Sequence, residues 1–62
     1  MNKRIVVLGG GISGYGSAIL AKKEGFDVFL SDAGKIAERY TTILNEWGVE
    51  WEQGGHTMER IL

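Results

Sequence analysis

The period of apolar and polar positions changes several times along this chain. Ile5-Val6-Val7-Leu8 is an unbroken apolar run of strong strand-formers, the pattern of a strand covered on both faces. From about Gly14 to Glu24 the pattern turns helical. Ala18, Ile19 and Ala21 supply a narrow apolar face, and Lys22 and Lys23 suit a helix C-terminus. Gly25 fits the left-handed position that ends helices. Phe26 to Asp32 predicts a second strand, with Val28 and Leu30 on one face and Phe26 and Phe29 available to others. Ile36, Tyr40, Ile43, Leu44 and Trp47 then fall on one stripe of a 3.6-residue period and predict a second helix, closed by Gly48. Val49 and Trp51 alternate with acids, so residues 49–53 read as a short third strand with one wetter face. Gly54-Gly55-His56 reads as a loop, and Thr57 as the cap of a last helical turn running through Leu62.

A β-α-β-α-β order requires parallel strands joined by right-handed crossovers. The expected fold is α/β: a Rossmann-like, doubly wound parallel sheet with strand order 3-2-1, spanning residues 1–62 as one domain. The chain stops after one apparent helical turn with no fourth strand, which reads as truncation. The strand Ile5–Leu8 is then expected to present an open edge, through which the chain would dimerise or aggregate.

Composition narrows the classes. A chain of 62 residues makes at most one small domain. Its net charge of −1 gives no electrostatic case for nucleic acid or an anionic membrane. The absence of cysteine removes disulfides and thiolate metal sites. The apolar run after the basic start is too short for a signal sequence or a membrane span, so a cytoplasmic protein is expected.

The candidate chemistry lies in the glycines. Gly9, Gly11 and Gly14 form G-x-G-x-x-G directly after a predicted strand and at the opening of a predicted helix, with an acid downstream. Gly9 permits the tight turn, Gly11 lets a phosphate approach the backbone, and Gly14 lets the helix pack closely. The amides at the helix start would hold the anion, with Ser13 adding a hydroxyl donor. Gly10 and Gly16 read as packing glycines. Asp32 ends the second strand, where such folds present a carboxylate to ribose hydroxyls or a base edge; a turn-forming aspartate is the plainer alternative.

The remaining polar residues read as surface. Lys35 reads as a solvated lysine, and His56, the single histidine, as a surface loop residue with no second ligand to complete a zinc site. Trp47 and Trp51 are expected to cover the sheet. Glu46, Glu50, Glu52 and Glu59 read as a solvated face. No catalytic constellation is visible.

With residues 6–36 and the segment from Ile43 to His56 in view, the chain resembles the N-terminal domain of the Mur ligases, in their D-glutamate-adding branch of the Bacteroides-like type. The turn after the second strand and the segment Leu44–His56 are more telling than the glycine loop. The resemblance implies a cytoplasmic enzyme of peptidoglycan synthesis that joins D-glutamate to UDP-N-acetylmuramoyl-L-alanine, using ATP and magnesium. It implies that Ile12 and Ser13 meet the diphosphate of the UDP and that Asp32, Ala33 and Gly34 meet the uracil. Some members carry threonine and arginine where this chain has Ala33 and Gly34, and Lys35 is the candidate to compensate. The family's ATP loop and magnesium site belong to a later domain, so this chain alone is expected to bind the UDP moiety, hold no cofactor, have the rest of the ligase as its partner and catalyse nothing. Two other readings stay open from the residues themselves: an FAD- or NAD-binding domain of an oxidoreductase, and a nucleotide-sensing module without chemistry.

Overall fold

The structure, a computed structural model, describes residues 3–62. Its elements are β1 (Arg4–Leu8), α1 (Ile12–Lys23), β2 (Asp27–Asp32), α2 (Glu38–Glu46), β3 (Glu50–Gln53) and a final turn α3 (Met58–Ile61). The three strands form one parallel sheet in the order β1-β2-β3, so β2 lies in the middle. This is the expected α/β fragment and the expected strand order. Arg4 pairs with Asp27 and Leu8 with Ser31, while Phe29 pairs with Glu50 and Asp32 with Gln53.

Alternation along β2 distributes its side chains between two unlike faces. Val28 and Leu30 join Ala18 and Ala21 of α1, Leu44 of α2, Ile36 and Val49 in one buried cluster. Both long helices cover that face, and they meet through Tyr15 and Tyr40, whose rings stack at 4.6 Å, an arrangement worth about 0.5–1.5 kcal/mol beyond its burial. On the other face Phe29 is also buried, and the guanidinium groups of Arg60 and Arg4 lie 4.3 and 5.6 Å from its ring centre. Arg60 also pairs with Glu50 at 3.4 Å.

The helix boundaries differ from the sequence pattern for local reasons. α1 starts two residues earlier than its apolar face, at Ile12, because Gly11 turns the chain directly into the first helical hydrogen bond, Tyr15 N–H to Gly11 C=O. α2 is shorter than its stripe: Ile36 is buried from the loop before the helix, and Trp47 is a C-cap residue that stays 41% exposed instead of covering the sheet. Gly25 and Gly48 adopt φ of +90° and +72° as the helices end, which only glycine does without strain.

β1 borders the sheet, and parity decides which of its groups are paired. Asp27 donates its N–H to Lys3 C=O, and Gly9 donates to Ser31 C=O. The odd residues therefore face β2, and Arg4, Val6 and Leu8 direct their backbone groups outward, unpaired among the described residues. The open edge expected of this strand is thus the outward row of groups at Arg4, Val6 and Leu8. In hydrogen exchange, Ile5 and Val7 amides are expected to be protected and Val6 and Leu8 amides to exchange faster. Equal protection of all four in a sample that sediments as a monomer would show this edge to be covered.

Candidate functional site

The carboxyl ends of the parallel strands bring three loops together. After β1, Gly9 turns at φ +102°, its N–H held 2.7 Å from Ser31 C=O. Gly14, in the first turn of α1, passes so close to this turn that a Cβ would collide with the Gly9 carbonyl oxygen and lie 3.6 Å from Val7 Cγ1. The close helix approach expected of Gly14 is therefore real, and its partner is the loop's own carbonyl. Gly10 is buried: its added Cβ would fall 2.7 Å from Ile36 Cγ1 and 3.0 Å from Asp32 Oδ2. Gly11 is different. It is exposed at φ −68°, and a Cβ there would meet nothing within 4 Å. Nothing in the fold demands glycine at that point, which leaves room for something outside the chain to approach.

α1 has no side-chain cap and no acid in its first turn. The amides of its first turn, including Ile12 and Ser13, thus point out of the helix start without intrahelical acceptors, at the positive end of the dipole. Ile12 and Ser13 are exposed there.

Asp32 closes the arrangement from β2. Its Oδ1 accepts the Gly34 N–H at 2.8 Å and its Oδ2 the Gly10 N–H at 2.6 Å. The Gly34 and Gly10 amides, in that order, hold its carboxyl below the usual carboxylate range against a smaller opposing effect of burial, and the charge of His56 acts in the same direction. Asp32 is therefore both the turn-forming aspartate and the residue that locks the glycine loop to the β2–α2 turn. Ala33, Gly34 and Lys35 stand exposed on that turn.

A second constellation, separated widely in sequence, stands beside it. Glu52 accepts the Thr57 N–H at 2.8 Å, the Thr57 hydroxyl at 2.6 Å and the Ser31 hydroxyl at 2.7 Å. These bonds, led by the Thr57 amide and hydroxyl, bring its pKa to about 2, with Arg60 adding a smaller attraction. An anionic Glu52 takes the single proton of the buried Ser31 hydroxyl, so Ser31 Oγ must accept from His56 Nδ1–H at 2.5 Å. Two expectations change here. Glu52 belongs to a bonded network and not to a solvated face, and the Thr57 hydroxyl serves Glu52 while only its carbonyl starts α3, accepting from Arg60 and Ile61. His56 is exposed, as expected, but is tied down through Ser31.

Gly10 is the packing glycine it was read as, but sequence reasoning missed its amide's bond to Asp32, and it passed over Gln53, whose Oε1 accepts the Ile36 N–H at 3.0 Å. The second glycine of the run Gly9-Gly10-Gly11 was a signal for the first; nothing in the sequence marked Gln53. No group of three or more His, Cys, Asp or Glu residues capable of holding a metal exists among the described residues, and no described helix is long and apolar enough to cross a membrane. A shallow groove lined by Asn45, Gly48, Glu50, Trp51 and Arg60 lies at the amino end of β3, away from the loops.

A parallel sheet with a glycine turn, an open helix start and a strand-terminal acid at its carboxyl end defines a Rossmann-like α/β unit. More narrowly, the chain belongs to the MurD N-terminal domain family, whose model matches residues 4–62. It is 57% identical over 61 residues to a protein of Christiangramia forsetii named UDP-N-acetylmuramoylalanine–D-glutamate ligase, covering 98% of this chain and 14% of the relative. Proteins of the same name from Bacteroides fragilis and Cytophaga hutchinsonii are 57% and 45% identical, covering 97% and 100% of this chain and 14% of each relative. The chain thus spans about a seventh of the length of these relatives. No solved structure matches it at a significant level. The oxidoreductase reading gains no support from these relatives.

Proposed function

We propose that this chain holds the uridine diphosphate part of UDP-N-acetylmuramoyl-L-alanine within a longer ligase that adds D-glutamate to that substrate. The parent enzyme would work in the cytoplasm on peptidoglycan precursor, and so serve cell shape and division. ATP and magnesium would be held by its other domains; the residues of this chain bind substrate and perform no chemical step. In this reading the helix-start amides at Ile12 and Ser13, with the open approach at Gly11, take the diphosphate. Gly9 and Gly14 shape that loop. Asp32, Ala33 and Gly34 form the turn that meets the uracil, with Lys35 beside it.

The observation that carries the reading is the Gly10–Asp32 hydrogen bond, which joins the anion-facing loop and the acid-bearing turn in one crevice. Family membership supports the choice of a uridine nucleotide over an adenine dinucleotide. In a solution NMR titration of this chain, UDP is expected to shift the amides of Gly11 to Tyr15 and of Gly34 with a dissociation constant on the order of 1 mM, weak because most of the sugar and peptide would be buried elsewhere. UMP should shift Gly34 and affect the helix start less. Larger shifts or tighter binding with NAD or FAD would overturn the proposal in favour of a dinucleotide domain.

A further inference from the structure

We propose that the segment Gln53-Gly54-Gly55-His56, at the carboxyl end of β3, is a positioning element that sets the base selectivity of the Asp32–Ile36 turn, with Gln53 as its decisive side chain. This rests on the nucleotide reading above and adds to it a third loop, one that touches no ligand.

Three hydrogen bonds run from this segment to the back of the turn. Gly54 N–H donates to Gly34 C=O at 2.7 Å, and Gly55 N–H donates to Asp32 C=O at 3.3 Å. Gln53 Oε1 accepts the Ile36 N–H at 3.0 Å, a group that precedes α2 and has no acceptor within that helix. Gly54 and Gly55 reach these carbonyls at φ of +81° and +152°, conformations that side chains other than glycine rarely adopt. The segment is itself anchored: Thr57 bonds twice to Glu52, and His56 is tied through buried Ser31 to the same carboxylate. The turn is therefore clamped from behind, and its front stays open.

The composition of the front makes that clamp matter. Ala33 and Gly34 carry no polar side chain, so a base at this turn meets main-chain groups, Asp32 and the single flexible cation of exposed Lys35. The brace consumes Asp32 C=O and Gly34 C=O, and Asp32 Oδ1 consumes Gly34 N–H. Among the described residues this leaves the main-chain groups of Ala33 and Lys35 free on the turn. Uracil presents an acceptor–donor–acceptor edge, whereas cytosine replaces one acceptor and the ring donor with the opposite types. Fixed main-chain groups can tell these edges apart only while their spacing is fixed, and a loose turn can rotate to suit either.

The test uses Gln53→Leu and Gln53→Glu with UDP, CDP and inorganic pyrophosphate. Gln53→Leu is expected to weaken UDP about tenfold, the size of one lost hydrogen bond, while CDP and pyrophosphate change less than about twofold. Gln53→Glu, which keeps an acceptor for Ile36 N–H, is expected to retain the wild-type ratio of UDP to CDP affinity even where its added charge weakens all anions. An unchanged UDP-to-CDP ratio in Gln53→Leu, or a parallel loss for all three ligands, overturns the proposal. The brace is read separately without ligand: the Ile36 amide of Gln53→Leu should exchange faster by a larger factor than the accompanying fall in urea midpoint accounts for, and unaltered exchange overturns it. Faster exchange together with no UDP binding by the wild type overturns the nucleotide reading instead, and the selectivity claim falls with it.

Discussion

Gly14→Val is expected to abolish the cooperative urea transition of this chain, and Gly14→Ala to lower its midpoint sharply. A Cβ at Gly14 has no room, because the Gly9 carbonyl occupies its place and backbone cannot rotate away as a side chain can. Overpacking in a core costs about 1–3 kcal/mol and sometimes more. At roughly 0.05–0.15 kcal/mol per residue, a domain of this size has only a few kcal/mol in total. Alanine therefore consumes a large part of the margin, and valine adds two further carbons at the same crossing. Gly16→Ala supplies the contrast. Gly16, read from the sequence as a packing glycine, is instead exposed two residues further along α1, with nothing within 4 Å of its added Cβ. That substitution should raise stability by up to about 1 kcal/mol through helix propensity alone. If Gly14→Ala and Gly16→Ala melt alike, the helix start does not lie against Gly9.

Acid should unfold the protein through Glu52. Its carboxyl has an ordinary value of 4.5 and a folded value of about 2. Because the folded value is the lower one, the anionic network contributes its stability fully above pH 4.5 and loses it progressively as the pH falls toward 2. Asp32, also depressed, works in the same direction at the neighbouring loop. Urea midpoints of the wild type should drop across that window. Glu52→Gln should be less stable than the wild type at neutral pH and should lose less of its midpoint across the same range. Parallel pH profiles for the two proteins would mean that Thr57 and Ser31 do not hold Glu52 as an anion in solution.

The fold was largely legible because its signals are local. Ile5 to Leu8, the stripe Tyr40-Ile43-Leu44 and the glycines after each helix each announce an element within a few residues, and the alternation of strand and helix fixes a parallel sheet. The glycine loop was legible for the same reason, down to the special place of Gly14. What escaped depends on register. Ser31, Glu52 and His56 lie 21 and 25 residues apart in the pairs that bond, and they meet only because Ser31 and Glu52 stand opposite each other on β2 and β3. In sequence Glu52 is one acid among several alternating with apolar residues, and nothing local sets it apart. Gln53 is hidden likewise, its partner being a backbone amide before α2. Trp47 was misjudged because a stripe position at a helix end can run past the sheet it would cover.

The sheet order also has a kinetic meaning. Arg4 pairs with Asp27 and Phe29 with Glu50, so every strand contact closes a loop of about twenty residues, and no hairpin exists to nucleate the sheet cheaply. Both closures share β2, whose Val28, Phe29 and Leu30 are all buried. A transition state that omits β2 can contain no strand pairing at all. The barrier to folding should therefore be governed by this one strand and the α1 face that packs on it, with β3 and its loop joining on the downhill side.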